Sequence, residues 1–174
     1  MKDIVSTSLR TLDDSRGQFI EVFRDSWATE KPVQWNYVRS KAHVLRGFHV
    51  HVAHTDHLIL VEGMMYLGLC DMRKESSNFM KSEILPLKAE EPKLITIPPG
   101  IAHCFYYPVK AILINAVDKY WSNNDELGCM WNDPAFGLKW PLLNDEEPIL
   151  SKRDTSASSF DSLLIELNER RANR

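Results

Sequence analysis

Short apolar stretches recur along the chain between residues 18 and 118, and turns rich in glycine, proline and asparagine separate them. Frequent short stretches of this kind are typical of the strands of an all-β sandwich or barrel. The pattern therefore predicts a series of strands. Their predicted bounds are 18–23, 33–39, 44–51, 57–61, 64–71, 82–86, 94–97, 103–107 and 111–118.

A segment near the C-terminus has helical periodicity instead. Phe160, Leu163, Leu164 and Leu167 follow one another at helical spacing, and charged residues lie opposite them. This spacing predicts a helix over residues 159–171, which a nearby serine can cap at its N-terminus. We expect its apolar side to pack on the barrel or across a subunit interface.

The composition indicates one soluble globular domain over residues 1–174. Hydrophobic residues make up 44% of the chain and charged residues 26%, which is ordinary for such a domain. The net charge of −3, without a basic stripe, argues against binding to nucleic acid. No apolar run approaches the ~20 residues that a membrane span needs. We therefore expect neither a nucleic-acid partner nor a membrane partner.

The cysteines indicate the cellular compartment. Cys70, Cys104 and Cys129 are odd in number and widely spaced. They predict reduced thiols in or near the core rather than a disulfide framework. The N-terminus also lacks the apolar region of a signal peptide. Both observations predict a cytoplasmic protein.

The predicted strand 44–51 carries the densest group of chemically active side chains. His49 and His51 point to the same face, because side chains alternate along a strand. Arg46 joins them on that face only if a β-bulge lies near Gly47. Two imidazoles beside a permanent cation are suited to a proton-transfer or metal site.

Further histidines lie close by or in one other short segment. His54 and His57 follow the strand, and His103 ends the segment 97–103, with the sequence IPPGIAH. Pro98 fixes the turn there and Gly100 permits a close approach of the backbone. We expect this turn to direct His103 into the mouth of the barrel, where polar side chains form a ligand-binding cup.

Eight short segments, in one order, carry a family resemblance. They are 14–21 (DSRGQFIE), 34–36 (QWN), 44–49 (VLRGFH), 71–76 (DMRKES), 97–103 (IPPGIAH), 131–134 (WNDP), 139–141 (KWP) and 150–154 (LSKRD). In these segments the chain resembles the dTDP-4-dehydrorhamnose 3,5-epimerase family of the cupin superfamily. The resemblance implies a cupin jelly roll, or double-stranded β-helix, with a C-terminal helix.

The resemblance also implies an activity. Family members remove a proton at C3 or C5 of a nucleotide-linked 4-keto-6-deoxy sugar, most often a dTDP sugar, and return a proton to the other face. The neighbouring ketone acidifies these C–H bonds, so no metal or organic cofactor is expected. The implied setting is deoxysugar or polysaccharide biosynthesis, and the implied assembly is a homodimer.

Individual roles follow from the matched positions. His49 matches the base, and Asp154 matches the carboxylate that orients it and raises its basicity. The other matched positions are expected to bind the substrate. Arg46 and His103 are expected beside the sugar, with Gln34 and Asn36 on the floor of the same region. Tyr120 and Trp121 are expected against the nucleotide base. Arg16, Phe19 and Glu21 are expected to reach into the partner's nucleotide site. Ordinary packing is the alternative for Trp121.

The match fails at three positions. Asn115 stands where the family has a tyrosine acid, and an amide cannot donate a proton as a phenol does. His57 matches the position of a lysine that helps to hold the enolate, and Leu67 replaces an acid common in the family. The loss of the tyrosine has three alternative consequences: the enzyme epimerises one centre only, draws its proton from water, or returns the proton to another carbon. Tyr66, Tyr106 or Tyr107 could substitute, although none is at the matching position.

Three other functions compete with this one. The segment RGFHVH resembles dTDP-sugar 3,4-ketoisomerases, in which His51 would work with His49 to move a proton between carbon and oxygen positions. A metallocupin would use His49, His51 and His103, but the usual glutamate shortly after the pair is missing. A non-catalytic sugar-nucleotide binding module would explain the missing acid.

Overall fold

The computed structural model describes residues 3–27, 30–122 and 125–172. Within these ranges the strands β1–β12 are Val5–Ser8, Thr11–Asp14, Gly17–Ile20, Gln34–Ser40, Val44–His51, Asp56–Glu62, Met64–Asp71, Ser82–Lys88, Lys93–Ile97, Ile101–Tyr107, Ala111–Val117 and Glu126–Gly128. The helices α1 and α2 are Lys152–Thr155 and Phe160–Ala172. Three short 3₁₀ helices are Asp25–Trp27, Pro134–Phe136 and Leu143–Asp145.

Two five-stranded antiparallel sheets form the body of the protein. The first sheet has the order β1-β9-β6-β11-β4, and the second has the order β12-β5-β10-β7-β8. A separate hairpin joins β2 and β3. Strands that are neighbours in sequence therefore often lie in different sheets. This arrangement confirms the predicted all-β jelly roll with a C-terminal helix.

One core cluster lies between the two sheets. It joins residues of the first sheet, such as Leu58 and Leu113, to residues of the second sheet, such as Met65 and Leu69. All of these side chains are almost completely buried. They face inward because alternate residues of each strand point to the same side.

A second cluster lies on the outer face of the second sheet. Phe160, Leu163 and Leu167 of α2 pack there with Phe136 and Phe48. The rings of Phe136 and Phe160 meet edge to face, with centroids 5.0 Å apart. The predicted helix is confirmed, and its apolar side packs on its own barrel. The three cysteines are free and buried, as expected.

The strand predictions differ from the structure mainly in the N-terminal region. The predicted strand 18–23 is wrong beyond residue 20, where β3 ends. The strands β1, β2 and β12 were not predicted, because β1 and β2 are exposed and largely polar and β12 has only three residues. The strand predicted at 57–61 begins one residue earlier, at Asp56.

In the three described ranges, no helix is both long and apolar enough to cross a membrane.

Candidate active site

A cavity of about 330 Å³ opens between the two sheets. Seven of the predicted site residues line it, namely Asn36, Arg46, His49, His51, His103, Asn115 and Trp121. Five of the six histidines were predicted to lie near one another, and four of them do, since His54 also lines this cavity. The sequence thus identified most of the polar lining.

A β-bulge places Arg46 on the same side as the histidines. In the pairing of β5 with β10, His49 lies opposite His103, but Arg46 lies opposite Phe105. The strand β5 therefore carries one residue more than β10 over this stretch, as predicted. Gly47 permits the bulge because its φ is +114° and an added Cβ would lie 2.7 Å from the His103 carbonyl oxygen.

His49 forms a dyad with Asp154. The imidazole Nε2 lies 2.9 Å from the carboxylate Oδ1 of Asp154. The Ser151 hydroxyl donates a 2.8 Å hydrogen bond to the other oxygen, Oδ2. Burial raises the pKa of Asp154, but the hydrogen bonds from His49 and Ser151 outweigh burial and hold that pKa below its ordinary value. The carboxylate is therefore charged at neutral pH, and it fixes the orientation of the imidazole through Nε2.

Glu126 is a site residue that the sequence did not reveal. Its Oε1 lies 3.3 Å from Nδ1 of His49 and 2.5 Å from a guanidinium nitrogen of Arg153. The indole N–H of Trp121 donates to its other oxygen. Glu126 reaches the site because β12 pairs with β5. A three-residue strand leaves no pattern from which this contact could be predicted.

Amide side chains form a hydrogen-bonded chain across the floor of the cavity. The Asn115 amide donates to Oδ1 of Asp56 at 2.8 Å, and its oxygen accepts from Asn36 at 3.1 Å. Asn36 in turn accepts a 3.0 Å hydrogen bond from Gln34. Gln34 does not line the cavity but accepts from the backbone N–H of Trp121. Asn115 is thus held as a polar group on the floor.

Asp56, and not His57, enters the cavity from β6. His57 points to the opposite face of the strand, where its Nδ1 lies 3.1 Å from the Thr96 hydroxyl and its ring meets Phe23 edge to face. The placement of His57 at the site is corrected by this geometry. The expectation rested on the match of His57 to a lysine of the family. Along β6, however, Asp56 shares a face with Leu58 and Leu60, which pack between the two sheets, and His57 faces the other way.

The tyrosines differ in their position relative to the cavity. Tyr107 lines it and is fully buried. Burial raises the pKa of Tyr107, so its phenol stays protonated. The hydroxyl of Tyr106 instead contacts His43 and the backbone N–H of Leu143, and Tyr66 stacks on Tyr106. Of the three alternatives to the missing acid, Tyr107 is the one that lines the cavity.

The remaining predicted residues do not line this cavity. Arg16 and Phe19 lie on the exposed β2–β3 hairpin, and Phe19 is 65% exposed. Glu21 accepts a 2.5 Å hydrogen bond from Arg24. Tyr120 is 77% exposed. Their predicted roles in nucleotide binding stay predictions.

Comparison with known proteins identifies the family. The family model described as dTDP-4-dehydrorhamnose 3,5-epimerase matches residues 1–162. The chain belongs to this family. An epimerase of this name from Neisseria gonorrhoeae is 32% identical over 91% of the chain, which spans about half (52%) of that relative's length. The Salmonella typhimurium epimerase is 31% identical, with 94% of this chain and 93% of the relative covered.

Solved structures of 3,5-epimerases and a monoepimerase have the same fold. The Legionella pneumophila 3,5-epimerase in complex with dTDP-4-keto-L-rhamnose has a TM-score of 0.88 and 26% identity, with 96% of this chain and 93% of that chain covered. A 3′-monoepimerase from Streptomyces bikiniensis in complex with dTDP-quinovose has a TM-score of 0.84 and 26% identity, with 95% and 87% covered. These neighbours confirm the predicted epimerase family and fold.

Proposed function

We propose that this epimerase-family protein acts on a nucleotide-linked 4-keto-6-deoxy sugar, at C3, C5 or both, in deoxysugar or polysaccharide biosynthesis. The observation that carries this proposal is the His49–Asp154 dyad at a cavity between the sheets. A dTDP sugar is the preferred substrate, since the relatives compared above bind dTDP sugars. A cytoplasmic location remains a prediction.

The dyad supplies the base of the reaction. Asp154 accepts the hydrogen bond from Nε2 of His49. The proton next to the ketone passes to the lone pair on Nδ1, on the side of the ring that faces Glu126. The C–H electron pair moves into an enolate whose oxygen carries the negative charge. Arg46 and the Asn115 amide line the same cavity and can stabilise that oxygen. Return of a proton to the opposite face completes the epimerisation.

The source of the returning proton decides how many centres are inverted. Asn115 cannot provide it, whereas the protonated Tyr107 lines the cavity and can. The family also contains the 3′-monoepimerase described above. We therefore propose that Tyr107 is the proton donor and that epimerisation at a single centre is within the range of this site.

A homodimer would bring Arg16, Phe19 and Glu21 to a nucleotide site. These residues do not line the cavity of their own chain, and Phe19 is exposed. The outer face of the first sheet also carries exposed aromatic side chains at Trp35 and Tyr37, which a second copy would cover. Both observations support the predicted exchange of the hairpin between subunits.

Proton NMR in deuterated water tests the proposal. With dTDP-4-keto-6-deoxyglucose as substrate, the wild-type protein should introduce deuterium at C3, C5 or both, and the product spectrum should show an epimer. His49→Ala should abolish this exchange, whereas His57→Gln, outside the cavity, should keep it. A product with its carbonyl moved to C3 would instead identify a 3,4-ketoisomerase. Exchange that persists in His49→Ala would refute the proposed base.

A further inference from the structure

Three buried histidines converge on one carboxylate oxygen in the wall of the cavity. The Nε2 atoms of His51, His54 and His103 lie 3.6, 3.7 and 3.9 Å from Oδ2 of Asp56. All four residues are at least nine-tenths buried. None of these distances is short enough for a hydrogen bond. They are close to the separations between ligand atoms that share one cation at about 2.0–2.2 Å.

Two of the three histidines, and the carboxylate, are held on their opposite sides in the manner of metal ligands. His54 places Nδ1 2.5 Å from the carboxylate of Asp125, and His103 places Nδ1 3.2 Å from the carbonyl oxygen of Ile101. Acceptors at Nδ1 keep the proton there and leave the Nε2 lone pair free. The Asn115 amide similarly holds Oδ1 of Asp56 at 2.8 Å and leaves Oδ2 facing the imidazoles.

The donor atoms of the group also suit a cation. Imidazole nitrogens and carboxylate oxygens are the usual ligands of Zn²⁺ and related divalent ions. His51, His103 and Asp56 offer both types.

We propose that His51, His103 and Asp56, with His54 on the fourth side, form a site for one divalent transition-metal ion. His51, Asp56 and His103 offer ligand atoms within 4.8 Å of one another. His49 does not belong to the set, because its two nitrogens face Asp154 and Glu126. The site goes beyond the proposed epimerase activity, and metal binding can be measured without any sugar.

Metal binding by the full chain, stripped of metal by dialysis against a chelator, tests the proposal. Titration with Zn²⁺ in a calorimeter should give one ion per chain. Titration with Co²⁺ should give the visible absorption bands of a tetrahedral site with nitrogen and oxygen ligands. A folded wild-type chain that binds neither ion would overturn the proposal.

Variants locate the site. His51→Ala and Asp56→Asn should lose the stoichiometric binding, and Asp125→Asn should weaken it about 10- to 100-fold because it releases His54. His57→Gln removes a histidine outside the cavity and should bind like the wild type. His103→Gln gives an independent ligand variant if either of the first two fails to fold. Binding that is unchanged in folded ligand variants would place the ion elsewhere and refute the site.

Discussion

Nε2 of His49 lies 2.9 Å from Oδ1 of Asp154, although the two residues are 105 positions apart in the chain. His49 lies on β5 and Asp154 on the short helix α1. The contact forms because Ser151 caps α1 and accepts a hydrogen bond from the backbone N–H of Asp154. A loss of this local cap would therefore affect the proposed catalytic pair, whose members are distant in sequence.

Asp154→Asn should slow deuterium exchange into the sugar about 10²- to 10⁴-fold. The neutral amide no longer raises the basicity of His49, and it can hold the imidazole in the wrong tautomer. Exchange is measured by proton NMR, and nucleotide binding by calorimetry should be largely retained. Asp161→Asn, at an exposed position of α2, is the control. Equal rates in the wild type and in Asp154→Asn would show that the dyad is not the base.

Tyr107→Phe should separate exchange from inversion. His49 would still remove the proton, so deuterium would enter the sugar, but the epimer should form at least about tenfold more slowly because the phenolic proton is missing. Both quantities come from one NMR time course. Tyr66→Phe changes a tyrosine that does not line the cavity. If Tyr107→Phe forms the epimer at the wild-type rate, the returning proton has another source.

Gly47→Ala should reduce the free energy of unfolding by at least about 1–3 kcal/mol. The backbone there has φ +114°, and the new Cβ would lie 2.7 Å from a backbone oxygen of His103. Gly17→Ala has a comparable φ of +129° but meets nothing within 4 Å. Urea unfolding of both variants separates the clash from the backbone strain. A smaller loss in Gly47→Ala than in Gly17→Ala would contradict the close approach.

Asp71 should contribute stability that depends on pH. Burial raises its pKa, but hydrogen bonds from Arg73 and Ser76 outweigh burial and hold that pKa below the ordinary value of 3.8. The contribution is therefore complete above pH ~4 and is lost as the pH falls through the lower, folded-state pKa. Asp71→Asn should cost about 1–3 kcal/mol at neutral pH, since Arg73 loses a buried partner.

Urea unfolding at a series of pH values checks this prediction. The difference between the wild type and Asp71→Asn should shrink below pH ~4. Asp161→Asn should change little across the same range, because the residue is exposed. A difference that stays constant down to the lowest pH would show that Asp71 acts through packing rather than through its charge.

Mixed dimers test the exchange of the hairpin. His49→Ala and Arg16→Ala chains are refolded together, and in the proposed homodimer this gives some dimers with one chain of each kind. If Arg16 serves the partner's site, one site of a mixed dimer has both residues intact, and activity should exceed the sum of the two separate variants. Activity equal to that sum would place Arg16 at the site of its own chain or outside any site.

Local patterns were enough for most of the fold. The strands at 44–51 and 64–71 and the C-terminal helix lie where the apolar spacing predicted them. The spacing also placed His49 and His51 on one face, and the glycine in RGFH indicated the bulge that brings Arg46 to them. These features depend on side-chain alternation and backbone sterics within a few residues, so a single segment contains the information.

Contacts between segments that are distant in sequence could be identified only from the tertiary structure. Asp56 rather than His57 enters the cavity, because Asp56 shares a face of β6 with Leu58 and Leu60, which pack between the two sheets. Glu126 reaches His49 through a three-residue strand, and Asp125 supports His54 from the same region. The sequence by itself determined most of the strands, the helix and the chemical character of the site. The pairing and register of the strands, which depend on packing across the whole barrel, decided which charged groups meet there.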